Sequence, residues 1–243
     1  MHGFANPARF LRLARWLTPL CLGAGIVAAT LALGWGLLVA PAEQLQGDTV
    51  RIMYLHVPTA WLGMAGWIGI AGASLAELVW RHPLAGIAAR ACAVPGAVFT
   101  AVCLATGSIW GRPAWGTWWV WDGRLTSMLV LLFLYLGWIA LSRASQESGR
   151  GQNAAPAIFG LLGAVNIPII HYSVLWWKTQ HQPPSITAGS SAIAGDFLWP
   201  LMIAMLGFTL IFVGVVLARM RAILADQQAE ARLRRKAFEV GAF

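Results

Sequence analysis

Residues 52–76 read IMYLHVPTAWLGMAGWIGIAGASLA and contain no Asp, Glu, Lys or Arg. A helix of this length exceeds the roughly 20 residues that cross the hydrocarbon core of a bilayer at about 1.5 Å per residue. Five further uncharged runs occupy residues 16–42, 91–111, 125–142, 151–177 and 197–218. The pattern predicts an all-α integral membrane protein with six transmembrane helices and both termini on one side.

A seventh uncharged stretch, residues 179–195, reads TQHQPPSITAGSSAIAG. Its adjacent prolines and many hydroxyl groups would leave backbone groups unpaired in lipid. It is therefore predicted to be a loop outside the membrane.

The distribution of positive charge predicts the orientation. Of the 17 Lys and Arg residues, thirteen fall on the side that carries the termini, and four fall on the other: Arg51, Arg112, Arg124 and Lys178. Positive residues remain in cytoplasmic segments. We expect a bacterial inner-membrane protein with cytoplasmic termini and a functional periplasmic face. The net charge of +8 is then explained by topology, without nucleic acid. Residues 1–218 form the predicted transmembrane domain and 219–243 a basic cytoplasmic tail.

A tryptophan-rich segment, residues 108–124, is the strongest functional feature. It contains five of the 14 tryptophans, namely Trp110, Trp115, Trp118, Trp119 and Trp121. Its interspersed Gly and Pro residues predict a shaped, non-helical loop that presents flat rings to a flat apolar ligand. Asp122 and Arg124 would add a polar pair at its edge. The alternative is an interfacial aromatic belt, although a belt gains nothing from five rings in one loop.

Two histidines, His56 and His171, fall near the predicted outer ends of helices. Pro58 is expected in the first helical turn of its span, and Pro168 should kink the fifth span. Imidazole is a standard axial ligand of heme iron, so these histidines are candidate ligands, against the simpler reading of hydrogen-bonded interfacial residues. His181 is a competing candidate, expected to be more exposed.

Several strings in the chain resemble one family. WGTWWVWDGRLTSML (115–129) resembles the WWD signature W-G-x-x-W-x-W-D-x-R-L-T-S-x-L, and the likeness extends to RIMYLHVP (51–58) and NIPIIHYSVLWWKTQHQ (166–182). Together they resemble the cytochrome c maturation protein C family (CcmC, heme exporter protein C), one of the WWD-domain heme-handling families. Gly123 and Met128 depart from the pattern, which usually has Ala and often has an acidic residue at these positions.

This resemblance implies that b-type heme is held on the periplasmic face, against the WWD loop, with His56 and His171 as axial ligands. The heme would then pass to the heme chaperone CcmE, near the small membrane protein CcmD and the ABC transporter subunits CcmA and CcmB. Arg51 and Arg124 are the preferred partners for the heme propionates, ahead of Lys178, because Arg binds carboxylates bidentately. The chain has no C-x-x-C-H, so covalent attachment is not expected.

Binding and presentation of heme are expected rather than enzymatic turnover. The chain contains no P-loop motif, so any ATP dependence would come from a partner. Two alternatives remain: a transporter that moves heme through its own bundle, and a b-type electron-transfer cytochrome. The second would need ligands in the cytoplasmic half, where His82 is the one candidate.

Overall fold

The computed structural model describes residues 6–147, 154–177, 179–181, 185–187 and 190–240. Its helices are α1 (Pro7–Gly34), α2 (Met53–Trp80), α3 (Ala85–Trp115), α4 (Gly123–Glu147), α5 (Ala155–Gly163), α6 (Asn166–Trp176) and α7 (Gly195–Val240). α1 continues as a π-turn over Trp35–Val39, and a 3₁₀ turn over Asp48–Ile52 leads into α2. Two short antiparallel strands, β1 (Ile186–Thr187) and β2 (Ser190–Ser191), precede α7.

Six segments of the described chain are long and apolar enough to cross a membrane, which confirms the predicted six-span, all-α architecture. The fifth span consists of α5 and α6, with a break between Gly163 and Asn166. Pro168 lies four residues after Ala164 and cannot donate a hydrogen bond to its carbonyl. The Ile167 amide bonds that carbonyl instead, at 3.1 Å. The predicted kink is therefore present as a complete interruption of the helix.

The packing of the helices defines two ends of the bundle. At the terminal end, the start of α1 packs with α3 and α7 through Phe10, Leu11, Leu84, Ile87, Met220 and Leu224. At the opposite end, which we call the loop end, residues from α1, α2, α3 and α7 pack together: Leu33, Tyr54, Trp110, Phe197 and Leu201. The start of α1 and the C-terminal part of α7 therefore lie on the same side of the bundle.

Buried aromatic side chains connect the helices in the middle of the bundle. Tyr135 on α4 donates its hydroxyl to the carbonyl of Gly63 on α2 at 2.7 Å. Trp67 donates its indole N–H across to Gly160 on α5 at 3.1 Å. Lipid offers no water to satisfy such groups, so each must find a partner inside the protein. These bonds fix α2, α4 and α5 relative to one another below the loop end.

Two helix boundaries differ from the sequence predictions. α3 continues to Trp115, so Trp110 and Trp115 are helical and the irregular segment is only 116–122. The helix ends where Gly116 adopts a φ of 78°, a left-handed conformation that glycine adopts without steric cost. Pro58 lies in the second turn of α2, because the 3₁₀ turn begins the helical segment earlier than expected.

α7 is one continuous helix of 46 residues, about 69 Å long at 1.5 Å per residue. It packs against the bundle as far as Leu224, and the side chains of residues 225–237 are exposed. No break occurs at the boundary predicted between residues 218 and 219.

Candidate functional site

A cavity of about 580 Å³ opens at the loop end of the bundle. This volume falls within the 300–1,000 Å³ typical of small-molecule and cofactor sites. Its walls come from α2, α3, α4, α6 and the segment after α6. Its lining includes three histidines and four large side chains of the tryptophan-rich segment: His56, His171, His181, Trp110, Trp115, Trp119 and Arg124. Residues far apart in the chain therefore meet in one site.

His56 is held in a single orientation from the first turn of α2. Its Nδ1 lies 3.1 Å from the carbonyl oxygen of Cys103 and 3.1 Å from the hydroxyl oxygen of Thr106. A carbonyl oxygen can only accept, so Nδ1 carries the proton and Nε2 keeps a free lone pair. Gly107 makes room for the ring, since a Cβ there would lie 3.0 Å from its Cε1. The result is an imidazole prepared to bind a metal through Nε2.

His181 has the same arrangement with a carboxylate as its partner. Its Nδ1 lies 3.2 Å from Oδ2 of Asp122, and this oxygen also accepts the hydroxyl of Thr179. The carboxylate fixes the proton on Nδ1 and leaves Nε2 bare. Such a carboxylate–histidine pair is the usual support behind a metal-binding imidazole. The ring also contacts Trp115 edge-on, with 4.8 Å between the ring centroids.

The titration of this pair favours a neutral imidazole. Burial lowers the pKa of His181, and the nearby Asp122 carboxylate only partly offsets that effect. Burial also disfavours the charged form of Asp122, but hydrogen bonds from Thr179 and from the Leu125 amide outweigh it, so the pKa of Asp122 lies below its ordinary value. Near pH 7, His181 is therefore a neutral hydrogen-bond donor to a charged carboxylate, and its Nε2 can act as a ligand.

His171 lines the same cavity but lacks this support. Its side chain is exposed, and its ring contacts Tyr172 edge-on with 4.8 Å between the centroids. Among the described residues, neither of its ring nitrogens has a hydrogen-bond partner. The expectation that His181 would be the more exposed histidine is wrong, since the side chain of His181 is only 19% exposed. The contacts with Asp122 and Thr179 hold it in place, although it follows the last turn of α6.

The five tryptophans divide into two groups. Trp110, Trp115 and Trp119 line the cavity. Trp118 and Trp121 are directed outward and are 58% and 74% exposed. Gln46, in the segment before α2, accepts the indole N–H of Trp110 at 2.8 Å and fixes that ring beside His56. The sequence predicted that all five rings would face the ligand, but only these three line the cavity.

The two arginines expected to bind the propionates lie in different places. Arg124 lines the cavity, and its buried Nε has no hydrogen-bond partner among the described residues. The buried indole N–H of Trp119 is likewise unpaired there. Two unpaired buried donors facing one cavity favour an anionic ligand group, because an unsatisfied donor costs about 1–3 kcal/mol.

Arg51 lies away from the cavity and has a structural role. It donates hydrogen bonds to the carbonyls of Leu37 at 2.7 Å and Ala40 at 3.0 Å, and it pairs with Asp48. These contacts join the end of the α1 segment to the start of α2. Lys178 lies outside the described residues.

The donor set indicates what kind of metal the cavity suits. In the described part of the chain, no group of three or more His, Cys, Asp or Glu side chains is placed to hold an ion. Two imidazole nitrogens are too few for a bare zinc ion, which usually takes four ligands. They are sufficient for a metal that brings its own equatorial donors, as in a metalloporphyrin. The aromatic walls suit such a flat ring.

Known proteins resemble this chain over nearly its full length. A family model described as CcmC, heme exporter protein C, matches residues 1–235. The chain is 50% identical over 218 residues to the heme exporter protein C of Bradyrhizobium diazoefficiens, which covers 89% of this chain and 82% of that protein. It is 45% identical over 224 residues to the heme exporter protein C of Escherichia coli K12, covering 92% and 90%. A putative cytochrome c biosynthesis ccmC-like mitochondrial protein of Marchantia polymorpha is 42% identical over 170 residues, covering 70% and 72%.

Proposed function

This chain belongs to the heme exporter protein C (CcmC) family, and from that premise we propose that its cavity seats heme and presents it to a heme chaperone. Membership of the family implies heme handling in cytochrome c maturation by a multi-pass membrane protein. What we propose beyond family membership is the binding site for heme, the axial ligands of its iron and the protein that accepts it. The observation that carries it is the pair of imidazoles in one cavity, His56 and His181, each with its Nδ1 hydrogen-bonded and its Nε2 free.

The iron is held between His56 and His181 in this proposal. These two histidines line the same cavity, His56 from α2 and His181 from the segment after α6. Each has the fixed tautomer that a metal ligand needs. The resemblance at first pointed to His56 with His171, but the imidazole of His171 lacks a hydrogen-bond partner among the described residues. The geometry therefore favours His181 as the second axial ligand.

The propionates bind to Arg124 and to the indole N–H of Trp119. Both donors are buried and unpaired, and both lie on the cavity wall. A charge-assisted bond from a guanidinium to a carboxylate is among the stronger hydrogen bonds in proteins. Arg51 is not used, because it does not line the cavity and two of its guanidinium nitrogens bond the carbonyls of Leu37 and Ala40.

The tryptophans have two tasks. Trp110, Trp115 and Trp119 pack against the porphyrin, which is bound non-covalently as b-type heme. Trp118 and Trp121 form an exposed aromatic surface beside the cavity, suited to contact with the acceptor chaperone CcmE. Exposed tryptophans next to a bound ligand allow the acceptor to dock where the heme is collected.

The loop end faces the periplasm of a bacterial inner membrane in this proposal, because four of the 17 basic residues lie on that side and thirteen on the other. CcmD is a membrane neighbour. CcmA and CcmB supply the ATP-driven step, since the chain has no nucleotide-binding motif of its own.

The test is the absorbance spectrum of the purified, heme-loaded protein. We expect a low-spin bis-histidine spectrum that is lost in His56→Ala and in His181→Ala. Retention of that spectrum in both variants would show that the ligand assignment is wrong. Loss only in His56→Ala and His171→Ala would restore the ligand pair that the resemblance implies. Heme flux into sealed vesicles that contain the protein alone would favour a transporter instead.

A further inference from the structure

We propose that His171 is a capture ligand at a lateral entrance of the cavity, where heme from the lipid bilayer binds before it reaches His56 and His181. This inference rests on the proposed heme seat. It gives a separate role to the third histidine of the cavity and a direction from which the ligand enters.

The first observation is the position of His171 on α6. Four exposed side chains, His171, Tyr172, Leu175 and Trp176, are spaced so that they share one face of this helix. The other three members are aromatic or aliphatic, as expected of a surface in contact with lipid. His171 lies about 7 Å before the end of α6 at Trp176, measured at 1.5 Å per residue. An ionisable side chain in contact with lipid is costly, so such residues are rare and usually functional.

The second observation is that His171 belongs to two surfaces at once. It shares a helix face with Tyr172 and Leu175, which do not line the cavity, and it lines the cavity together with Ile170. It therefore lies at the rim, where the cavity meets the exterior of the bundle.

The third observation is the packing around the break in the fifth span. α5 packs against both α2 and α4, whereas α6 packs against α4. Along the described residues, α2 and α6 form no extensive contact, and the cavity wall includes residues from both helices. The interruption before Asn166 thus directs α6 away from α2. The space between these two helices is where we place the lateral entrance of the cavity.

The chemistry of heme fits this entrance. Its ring is flat and apolar and partitions into lipid, while its iron needs a donor as soon as it leaves the bilayer. The ring centroids of Tyr172 and Trp176 lie 5.7 Å apart, and the two ring planes differ by 31°. These aromatic rings offer a surface on which a flat ring can rest. A lone imidazole beside them supplies one nitrogen to the iron.

The transfer inward is a ligand exchange. One inner imidazole would replace that of His171 on the iron, the other inner imidazole would add at the remaining open coordination position, and the oxidation state of the iron would not change. The fixed Nε2 lone pairs of the inner histidines make the inner seat the more stable one.

The experiment compares two porphyrins with the apo-protein in phosphatidylcholine–phosphatidylglycerol nanodiscs. One is heme supplied in protein-free nanodiscs of the same lipids, and the other is iron deuteroporphyrin disulfonate, which stays in water. In His171→Ala and His171→Gln, we expect loading of lipid-borne heme to slow roughly tenfold, the effect of about 1.4 kcal/mol in the barrier. The loading rate of the sulfonated porphyrin and the final bis-histidine spectrum should not change. Leu162→Ala, which truncates an exposed side chain on α5 away from this helix face, is the matched control and should load like wild type.

Three results would overturn the inference: an unchanged rate for lipid-borne heme in both His171 variants, an equal slowing for both porphyrins, or loss of the final spectrum. The last would make His171 a ligand of the inner seat. Failure of the wild-type protein to load either porphyrin would instead refute the proposed function, and this inference with it.

Discussion

The carboxylate of Asp122 connects the start of α4 to the imidazole of His181. Its Oδ1 accepts the Leu125 amide at 2.8 Å, which caps the helix, and its Oδ2 lies 3.2 Å from Nδ1 of His181. One side chain therefore sets both the position of α4, which carries Arg124, and the tautomer of a candidate iron ligand. We therefore expect the aspartate of the WWD segment to matter for heme binding as much as its tryptophans do.

Replacing Asp122 by Asn should uncouple these two roles. The single amide oxygen can still cap α4, since Asn is as good an N-cap as Asp. The acceptor for His181 is then lost. We expect heme affinity to fall about 10- to 100-fold, the usual effect of removing the group behind a metal-binding histidine. Heme titration followed by absorbance measures the change.

The matched control is Asp196→Asn, which changes an exposed acid in the first turn of α7. It should bind heme like wild type. If Asp122→Asn also bound heme with unchanged affinity, the support assigned to Asp122 would be wrong.

The stability of the apo-protein should depend on pH through His181. The pKa of His181 in the folded protein is lowered by burial, so the unfolded chain binds its proton more readily. Stability is therefore fully present above the unfolded pKa of about 6.5 and declines as the pH falls through that value toward the folded pKa. The pKa of Asp122 is also lowered in the folded protein. Asp122 therefore contributes to stability above about pH 4, and this contribution is lost in stronger acid.

The measurement is the Tm in detergent at pH 7.5, 6.0 and 5.0 for wild type and His181→Gln. We expect the decline between pH 7.5 and 5.0 to be smaller in the variant. Parallel curves for the two proteins would contradict the prediction.

Gly107→Ala should displace the ring of His56. The added Cβ would lie 3.0 Å from Cε1 of that imidazole, so the ring or α3 must move. Overpacking of this kind costs about 1–3 kcal/mol, which corresponds to a loss of heme affinity of roughly 5- to 150-fold if the whole cost falls on His56. We expect weaker heme binding at a nearly unchanged helical content, measured by heme titration and circular dichroism.

Gly72→Ala provides the comparison, since a Cβ at Gly72 on α2 meets nothing within 4 Å. It should leave heme binding unchanged. Equal binding by both alanine variants would show that His56 does not need its fixed position.

Arg124→Ala should weaken the binding of heme more than that of heme dimethyl ester. The ester has no propionate charge for the guanidinium, whereas hydrogen bonds to charged groups contribute about 1.5–3 kcal/mol. We expect a loss of roughly 10- to 100-fold for heme and little change for the ester, measured with both ligands on the same variant. Arg112→Ala is the control, because Arg112 is exposed and bonds the Gly116 carbonyl outside the cavity. An equal loss of affinity for both porphyrins would show that Arg124 does not bind the propionates.

The spans were predictable because charge is nearly excluded from lipid, so charge spacing alone marks each crossing. The break in the fifth span was also predictable, since Pro168 prevents one specific backbone hydrogen bond. The extension of α3 to Trp115 was not. Gly111 and Pro113 suggested a loop, yet a helix tolerates both when packing and the left-handed Gly116 place its end further on.

The candidate site was only partly predictable. The sequence identified the residues that meet at the loop end, because the tryptophan segment and the histidines fall on one side of the membrane. It could not rank His171 against His181. That distinction depends on the contact between Asp122 and His181, which are far apart in the chain and belong to different segments. The propionate role expected of Arg51 was not predictable either way from residue type: Arg51 has the right chemistry, but its side chain bonds carbonyls at the end of the α1 segment.

The long α7 helix combines two very different degrees of protection from solvent. Up to Leu224 its backbone hydrogen bonds are covered by the bundle or by lipid, whereas residues 225–237 have exposed side chains. Helix formation in this last part depends on strong helix formers such as Ala, Arg, Gln and Leu, and on pairs such as Glu230 with Arg234. Amide hydrogen exchange should therefore be slow along most of the helix and become fast within a few turns after Leu224. Any protein that covers this end would be detected directly, as slowed exchange in these turns alone.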